Sequence, residues 1–189
     1  MKTLRVLTLI FFSMTAVAAY GADTYKIDPV HTSIIFKVGH LGVSHVYGRF
    51  DKVEGSFSVD DAHPAASTVS LTIDAASIDT NNKMRDADLR SKHFFEVQKY
   101  PTITFKSTSF KRTGEGKYDV TGDLTLHGVT KSITIPVTKV GEGKGMRGEY
   151  RAGYDTTFTV KRSEYGMTFD LGPVSDEITL IIGIEGVRK

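Results

Sequence analysis

Apolar and polar residues alternate with a period of two along most of this chain, and no other sequence feature limits the possible folds as strongly. In the run 132–138, for example, Ile133, Ile135 and Val137 alternate with polar residues or proline. Successive side chains of a β-strand point to opposite faces of a sheet, so such a run predicts a strand with one buried face. Roughly eight to ten runs of this kind, separated by short connections rich in Gly, Asn and Asp, favour a β-sandwich or an antiparallel barrel.

Residues 81–91 interrupt the alternation. They contain no β-branched residue and are rich in helix formers, and Asn81 or Asn82 can cap the start of a helix. We therefore predict one short helix near residues 82–92. The aromatic pair Phe94 and Phe95 follows it and would plug the end of a barrel or pack as its lid.

The first 21 residues differ in composition from the rest of the chain. Lys2 and Arg5 precede an apolar stretch, and Ala19 and Gly21 place small residues at the two positions that signal peptidase reads. We interpret residues 1–21 as a secretory signal peptide that is cleaved after Gly21. Residues 22–189 are then expected to form a single exported domain.

Charge and composition argue against several classes of protein. The chain has 24 basic and 22 acidic residues, and two of the basic ones lie in the predicted signal peptide, so the remainder has no formal net charge. This balance argues against a nucleic-acid-binding protein, which needs an excess of Lys and Arg. The absence of cysteine excludes thiol catalysis, thiolate zinc sites and iron–sulfur clusters. After residue 21, no stretch approaches the roughly 18 apolar residues of a membrane span.

Local motifs give little support for catalysis or metal binding. The six histidines lack the spacing of zinc ligands, and the chain has neither a phosphate-binding loop nor a nucleophile elbow. We predict no catalytic residue, no metal and no cofactor. Arg49, Arg85 and Arg90 are the best candidates for binding an anion through a guanidinium group. Surface pairing of Arg85 and Arg90 with Asp86 and Asp88 is the slightly favoured alternative.

The inward face of the predicted strands is the strongest functional signal. A barrel of about eight strands leaves an interior that is either filled by side chains or able to hold one small elongated ligand. A strand of seven or eight residues spans about 25 Å, so a cavity along the axis would suit a long chain. Periodicity does not distinguish a hollow barrel from a filled one, and both remain open at this point.

Several stretches taken together resemble the YceI family of bacterial periplasmic lipid-binding proteins. The similarity is spread over nearly the whole chain after residue 21. Its most specific part is 121–126 followed by 128–131, Thr-Gly-Asp-Leu-Thr-Leu and Gly-Val-Thr-Lys. The other stretches that carry it are 25–28, 31–36, 40–44, 48–50, 78–81, 85–86, 89–91, 94–95, 99–105, 170–173 and 177–180.

This resemblance implies an all-β fold, an eight-stranded antiparallel lipocalin-like β-barrel. It also implies a binding or carrier protein for a long apolar ligand, such as an isoprenoid quinone or a prenyl phosphate, with links to lipid transport and the stress response. Family members are generally binding proteins rather than enzymes and often form homodimers. One departure concerns His45-Val46, which stands where the family pattern leads us to expect a bulky aromatic residue and which would alter the width of the pore.

The resemblance and the alternation together suggest which residues contact a ligand. His40, Arg90 and His93 are predicted to contact its polar head. The predicted apolar pore residues are Ile34, Phe36, Val38, Phe57, Leu71, Ile73, Phe94, Ile103, Phe105, Leu124, Leu126 and Phe158.

Two alternatives remain at this point. The first is an enzyme that acts on lipids or quinone precursors in the same cavity, with His40 or His93 as acid or base. The second is a stress-induced protein with a filled barrel, for which an interior too small for any ligand would be the distinguishing observation.

Overall fold

The computed structural model describes residues 22–189, so the predicted signal peptide lies outside the described residues. Within this range the alternating runs form β-strands and the segment after Asn82 forms the predicted helix. The elements are β1 (Thr24–Ile27), β2 (Ser33–His40), β3 (Ser44–Phe50), β4 (Val53–Ser58), β5 (Thr68–Asp74), β6 (Ile78–Asp79), α1 (Lys83–Arg90), β7 (Thr102–Gly114), β8 (Lys117–Leu126), β9 (Val129–Lys144), β10 (Tyr150–Lys161) and β11 (Val174–Arg188).

Eight strands close into an antiparallel barrel, which confirms the predicted fold class. Around the barrel the order is β1, β4, β5, β7, β8, β9, β10 and β11, and pairing of β11 with β1 closes the ring. Closure pairs each of these strands with a neighbour on both sides over at least part of its length. The long strand β11 pairs with β1 near its carboxyl end and with β2 over the rest of its length, so β1 and β2 share one side of β11. Strands β3 and β6 extend this wall beyond the closed ring.

The two ends of the barrel differ. At one end, here called the helix end, lie α1, the β2–β3 turn at residues 41–43, the β8–β9 turn and the β10–β11 connection at residues 162–173. The opposite end carries the β7–β8 and β9–β10 turns and the β4–β5 connection.

Aromatic rings fill the interior at the opposite end. The ring of Phe57 stacks on Tyr25 at 5.0 Å between centroids and meets Tyr154 edge-on at 5.3 Å. All three residues are at most 5% exposed. Such aromatic contacts add to the free energy gained by burial, so packed rings occupy the interior at this end.

Helix α1 starts where the sequence predicts and ends slightly earlier. The side chain of Asn82 accepts a hydrogen bond from the backbone N–H of Arg85 at 3.0 Å, which caps the first turn. The helix ends at Arg90, and the following residues cross the end of the barrel. There the ring of Phe95 packs edge-on against Phe50 at 5.6 Å. Among residues 22–189, no helix has the length and apolar character needed to cross a membrane.

Candidate functional site: an apolar cavity inside the barrel

The barrel contains a cavity of about 200 Å³ whose exposed lining is apolar. The alternation of the strands creates this lining, because every second side chain points inward. All of the predicted pore residues lie on its wall: Ile34, Phe36, Val38, Phe57, Leu71, Ile73, Phe94, Ile103, Phe105, Leu124, Leu126 and Phe158. Their contact with a ligand stays a prediction.

The interior is incompletely packed. Inward-facing residues such as Phe105, Leu124, Phe158 and Leu180 are only partly buried although they lie on the barrel's inner face. A fully packed core leaves few voids larger than a water molecule, so a cavity of this size distinguishes this barrel from a filled one.

The cavity volume is below the roughly 300–1,000 Å³ of sites that enclose a drug-sized ligand. A long ligand therefore requires interior side chains or strands to move apart. The boundary between β9 and β10 offers a place for such movement. Strand β10 pairs with β11 along residues 151–161, but its ladder with β9 covers only residues 150–155.

Arg162 is the polar residue that sequence analysis missed. It follows β10 directly, lines the cavity at the helix end and is only 3% exposed. Phe158, Val160 and Arg162 are spaced by two residues, so the alternation along β10 could have predicted that Arg162 also points inward. Burial lowers its pKa, while the charges of Asp176 and Asp170 oppose this effect.

The guanidinium of Arg162 is held by backbone carbonyls. Its Nε donates to Ser175 O at 3.0 Å, Nη1 donates to Met167 O and Phe169 O at 2.9 and 2.7 Å, and Nη2 donates to Val174 O at 2.9 Å. These four bonds use four of the five N–H groups of a guanidinium. A buried cation with one donor remaining therefore lies on a wall that is mostly apolar.

The three residues predicted to contact a polar head do not line the cavity. His40 is exposed at the end of β2. Arg90 is the last residue of α1 and donates to the backbone carbonyls of Ala76 and Ile78. His93 is exposed, and its Nδ1 lies 2.8 Å from Asp88 Oδ1. These residues are not brought together at one point, and their role stays a prediction.

The arginines considered as anion sites are already engaged within the protein. Arg85 donates to Thr80 Oγ1 and Thr80 O, both at 2.7 Å. Asp86, 7% exposed, accepts from the backbone N–H of Thr80 at 2.9 Å instead of pairing with an arginine. The expected pairing of Arg85 and Arg90 with Asp86 and Asp88 is therefore wrong, because nearby oxygen atoms of the backbone and of Thr80 satisfy both guanidinium groups. Arg49 forms an ion pair with Asp51 at 2.8 Å.

The departure at His45-Val46 does not set the width of the cavity. Both residues lie on β3, but neither lines the cavity. Since neither residue contributes to the lining, the structure gives no reason to expect an altered pore width from them.

A cluster of ionisable groups at the β1–β11 pairing has the composition of a cation site. Asp28, His31 and Glu185 each offer a ligand atom within 4.8 Å of the others. The guanidinium of Arg151 already donates to Asp28 Oδ2 at 2.8 Å and to Glu185. The arginine thus supplies the positive charge that the carboxylates attract.

The wall of the cavity is suited to burial of apolar groups. In the described part of the chain, no histidine lines it.

The fold and this cavity define a lipocalin-like barrel with an internal apolar site. The chain belongs to the YceI-like family, whose model matches residues 25–186.

Known proteins support this family assignment. A UPF0312 protein of Ectopseudomonas mendocina is 50% identical over 173 residues, which cover 90% of both chains. The crystal structure of Burkholderia cenocepacia BcnA has a TM-score of 0.78 at 27% identity, over 84% of this chain and 98% of that one. A polyisoprenoid binding domain from Saccharophagus degradans, implicated in plant cell wall breakdown, has a TM-score of 0.66 at 17% identity. The match covers 87% of this chain and 98% of that one, and it shows a similarity of fold.

Proposed function

We propose that this protein binds a long apolar ligand in its cavity, a polyisoprenoid of the isoprenoid quinone or prenyl phosphate type. It acts as a carrier or sequestering protein rather than an enzyme. The apolar surface that the cavity exposes to a ligand is the observation that carries this proposal. The Saccharophagus degradans domain supports it, because it indicates that the fold can accommodate such a ligand.

The energetics favour a long hydrocarbon chain. Each buried methylene contributes about 0.8 kcal/mol, so several isoprene units would outweigh the cost of ordering the ligand and opening the interior. A short apolar molecule would gain too little to offset that cost. The ligand therefore extends along the barrel axis.

The polar end of the ligand lies at the helix end, near Arg162. Two observations support this orientation. Arg162 places a buried positive charge on the wall there, whereas the opposite end is filled by Tyr25, Phe57 and Tyr154. An oxygen atom of the head group can accept a hydrogen bond from the remaining N–H group of Arg162. A phosphate would also be attracted by the positive charge of the guanidinium.

We place this function in the periplasm. The composition of residues 1–21 supports export, since two basic residues precede an apolar stretch that ends in small residues. Exchange of an isoprenoid between membranes would require such a carrier, because the hydrocarbon chain is poorly soluble in water.

A bulky substitution on the cavity wall tests the proposal. Leu124→Trp places a large ring in the cavity and is expected to weaken the binding of a detergent-delivered fluorescent polyprenol at least about tenfold, or about 1.4 kcal/mol. Asp123→Trp is the matched control, because residue 123 is the exposed neighbour on β8. Equal affinity of the folded Leu124→Trp variant and the wild type would overturn the assignment of the cavity as the binding site.

A further inference from the structure

One boundary of the barrel wall, between β9 and β10, is paired over only part of its length. Toward the helix end, β9 is still paired with β8 and β10 is still paired with β11. The ladder between β9 and β10 themselves ends where Asp155 pairs with Thr138. Within residues 22–189, no ladder joins residues 129–137 of β9 to residues 156–161 of β10. We call these two facing segments the β9–β10 slot, and its β10 edge is about 20 Å long.

The local sequence explains why the ladder stops. The register between the two strands shifts between Gly153 and Tyr154, and a bulge of this kind bends a strand and disrupts its pairing. On the facing strand, Pro136 has no N–H group to donate, and proline within a sheet is confined to edge strands, strand starts and bulges. Pro136 lies within β9 and pairs with Asp119 of β8 on one side. A proline at this position therefore suits a free edge on the side that faces β10.

The slot opens onto the cavity from the side. Ile135 and Val137 of β9 line the cavity along one edge of the slot, and Phe158 and Val160 of β10 line it along the other. Arg162 follows the β10 edge and lies at the end of the cavity that we assign to the polar end of the ligand. Separation of the two edges would therefore give a hydrocarbon chain an apolar route into the cavity, with its polar end beside Arg162.

Contacts hold the slot at both ends. Toward the opposite end of the barrel, the β9–β10 ladder joins the two strands. At the helix end, Lys131 Nζ lies 2.9 Å from Glu164 Oε2, and His127 Nδ1 lies 3.0 Å from Tyr165 O. The edges can thus separate between these contacts while β9 and β10 stay joined at both ends.

The two ends of the barrel offer costlier routes. Entry at the opposite end would displace the packed rings of Tyr25, Phe57 and Tyr154. Entry at the helix end would displace the segment that follows α1, where Phe95 packs on Phe50. Loss of such aromatic packing costs free energy, whereas separation of the slot edges breaks no ladder hydrogen bond.

We propose that the barrel wall parts at the β9–β10 slot and that the long apolar ligand enters and leaves the cavity there. This inference rests on the proposed function, because it assigns an entry route to the same ligand. It explains how a closed barrel with a cavity of about 200 Å³ can admit a long chain. The opening of the slot itself can be measured without any ligand.

A removable cross-link across the slot tests the entry route. The chain has no cysteine, so only introduced thiols react. Continuation of the pairing of Asp155 with Thr138 would place Thr159 opposite Thr134, and both threonines are exposed. Thr134→Cys/Thr159→Cys is therefore joined with a bis-methanethiosulfonate cross-linker, which dithiothreitol removes. Thr121→Cys/Thr134→Cys is the matched control, because it joins the same β9 residue to its ladder partner on β8.

The cross-linked slot variant is expected to take up a detergent-delivered fluorescent polyprenol at least about tenfold more slowly than the wild type, because the edges can no longer part. Dithiothreitol should restore the rate, and the cross-linked control should take up the polyprenol like the wild type. A cross-link formed after loading should slow release of the polyprenol in the same way. Equal uptake rates in the cross-linked slot variant and the cross-linked control would overturn the entry route.

Hydrogen exchange of the unmodified protein tests the opening of the slot. Peptides that cover residues 129–137 and 156–161 are expected to exchange faster than those that cover 120–125 and 178–182, which are paired with neighbours on both sides. Equal protection in all four segments would overturn the proposed opening. Fast exchange in the slot, with no uptake of polyprenol by the protein without a cross-link, would support the opening and overturn the proposed function together with the entry route.

Discussion

The ionisable cluster around Asp28 links β1 to the long strands β10 and β11. Asp28 accepts hydrogen bonds from His31 and from Arg151, and these bonds lower its pKa from 3.8 to about 2. Its side chain is 14% exposed, so water screens the cluster only in part. The folded state thus favours the ionised carboxylate.

This depressed pKa predicts the pH dependence of stability. The contribution of Asp28 is fully present above its ordinary pKa of 3.8 and is lost as the pH falls through about 2. We expect Asp28→Asn to lower the free energy of unfolding at neutral pH by about 1 kcal/mol, and by less at low pH. Urea unfolding of the wild type and the variant, at neutral pH and at low pH, measures this loss of stability. Asp123→Asn serves as an exposed control, and an equal loss in both variants would contradict the role of the cluster.

At the residue scale, the sequence predicted the inward faces well and the arginines poorly. Alternation alone places Phe36 or Leu124 inside, because the backbone geometry of a strand decides it. The partners of a guanidinium depend instead on which carbonyls the turns bring near. Arg85 and Arg90 are satisfied by such oxygen atoms, and two of the four carbonyls that accept from Arg162 lie more than ten residues away in the chain.

Helix α1 is the element whose local sequence matters most for the helix end. The cap at Asn82 satisfies a backbone N–H of the first turn, and Leu89 near the end of the helix lines the cavity. An element of eight residues is marginal by itself and depends on its cap and its packing.

Loss of the cap therefore has a predictable effect. Asn82→Ala is expected to lower the free energy of unfolding by about 1 kcal/mol, whereas Asn82→Ser, which can still accept the hydrogen bond, should change it by only a few tenths. Thermal unfolding followed by circular dichroism compares the two variants. Equal destabilisation by alanine and serine would show that the hydrogen bond from Arg85 N–H does not account for the stabilising effect of Asn82.

At the element scale, the start of α1 could be predicted but its end could not. Asn82 is a local signal, whereas the turn after Arg90 follows from the packing of Phe95 on Phe50, a contact between distant parts of the chain. The arrangement of β1 and β2 could not be predicted from local sequence either. Both strands pair with the same side of β11, and this pairing is established only when the barrel closes.

For the whole molecule, the closed barrel could be expected from the number of strands and from the family resemblance, whereas the cavity required the structure. Periodicity tells which side chains point inward but not how much of the space they fill. The cavity of about 200 Å³ shows that the inward side chains leave room along the axis. The central claim is that this room, enlarged on binding, holds a long isoprenoid.

Native mass spectrometry of the protein purified from the periplasm, followed by organic extraction, tests that claim most directly. Burial of a long chain should retain the ligand through gentle purification. We predict a mass above that of the polypeptide by one isoprenoid molecule, which extraction releases and identifies. A mass equal to that of the polypeptide alone, unchanged after prenyl lipids are added, would contradict the claim.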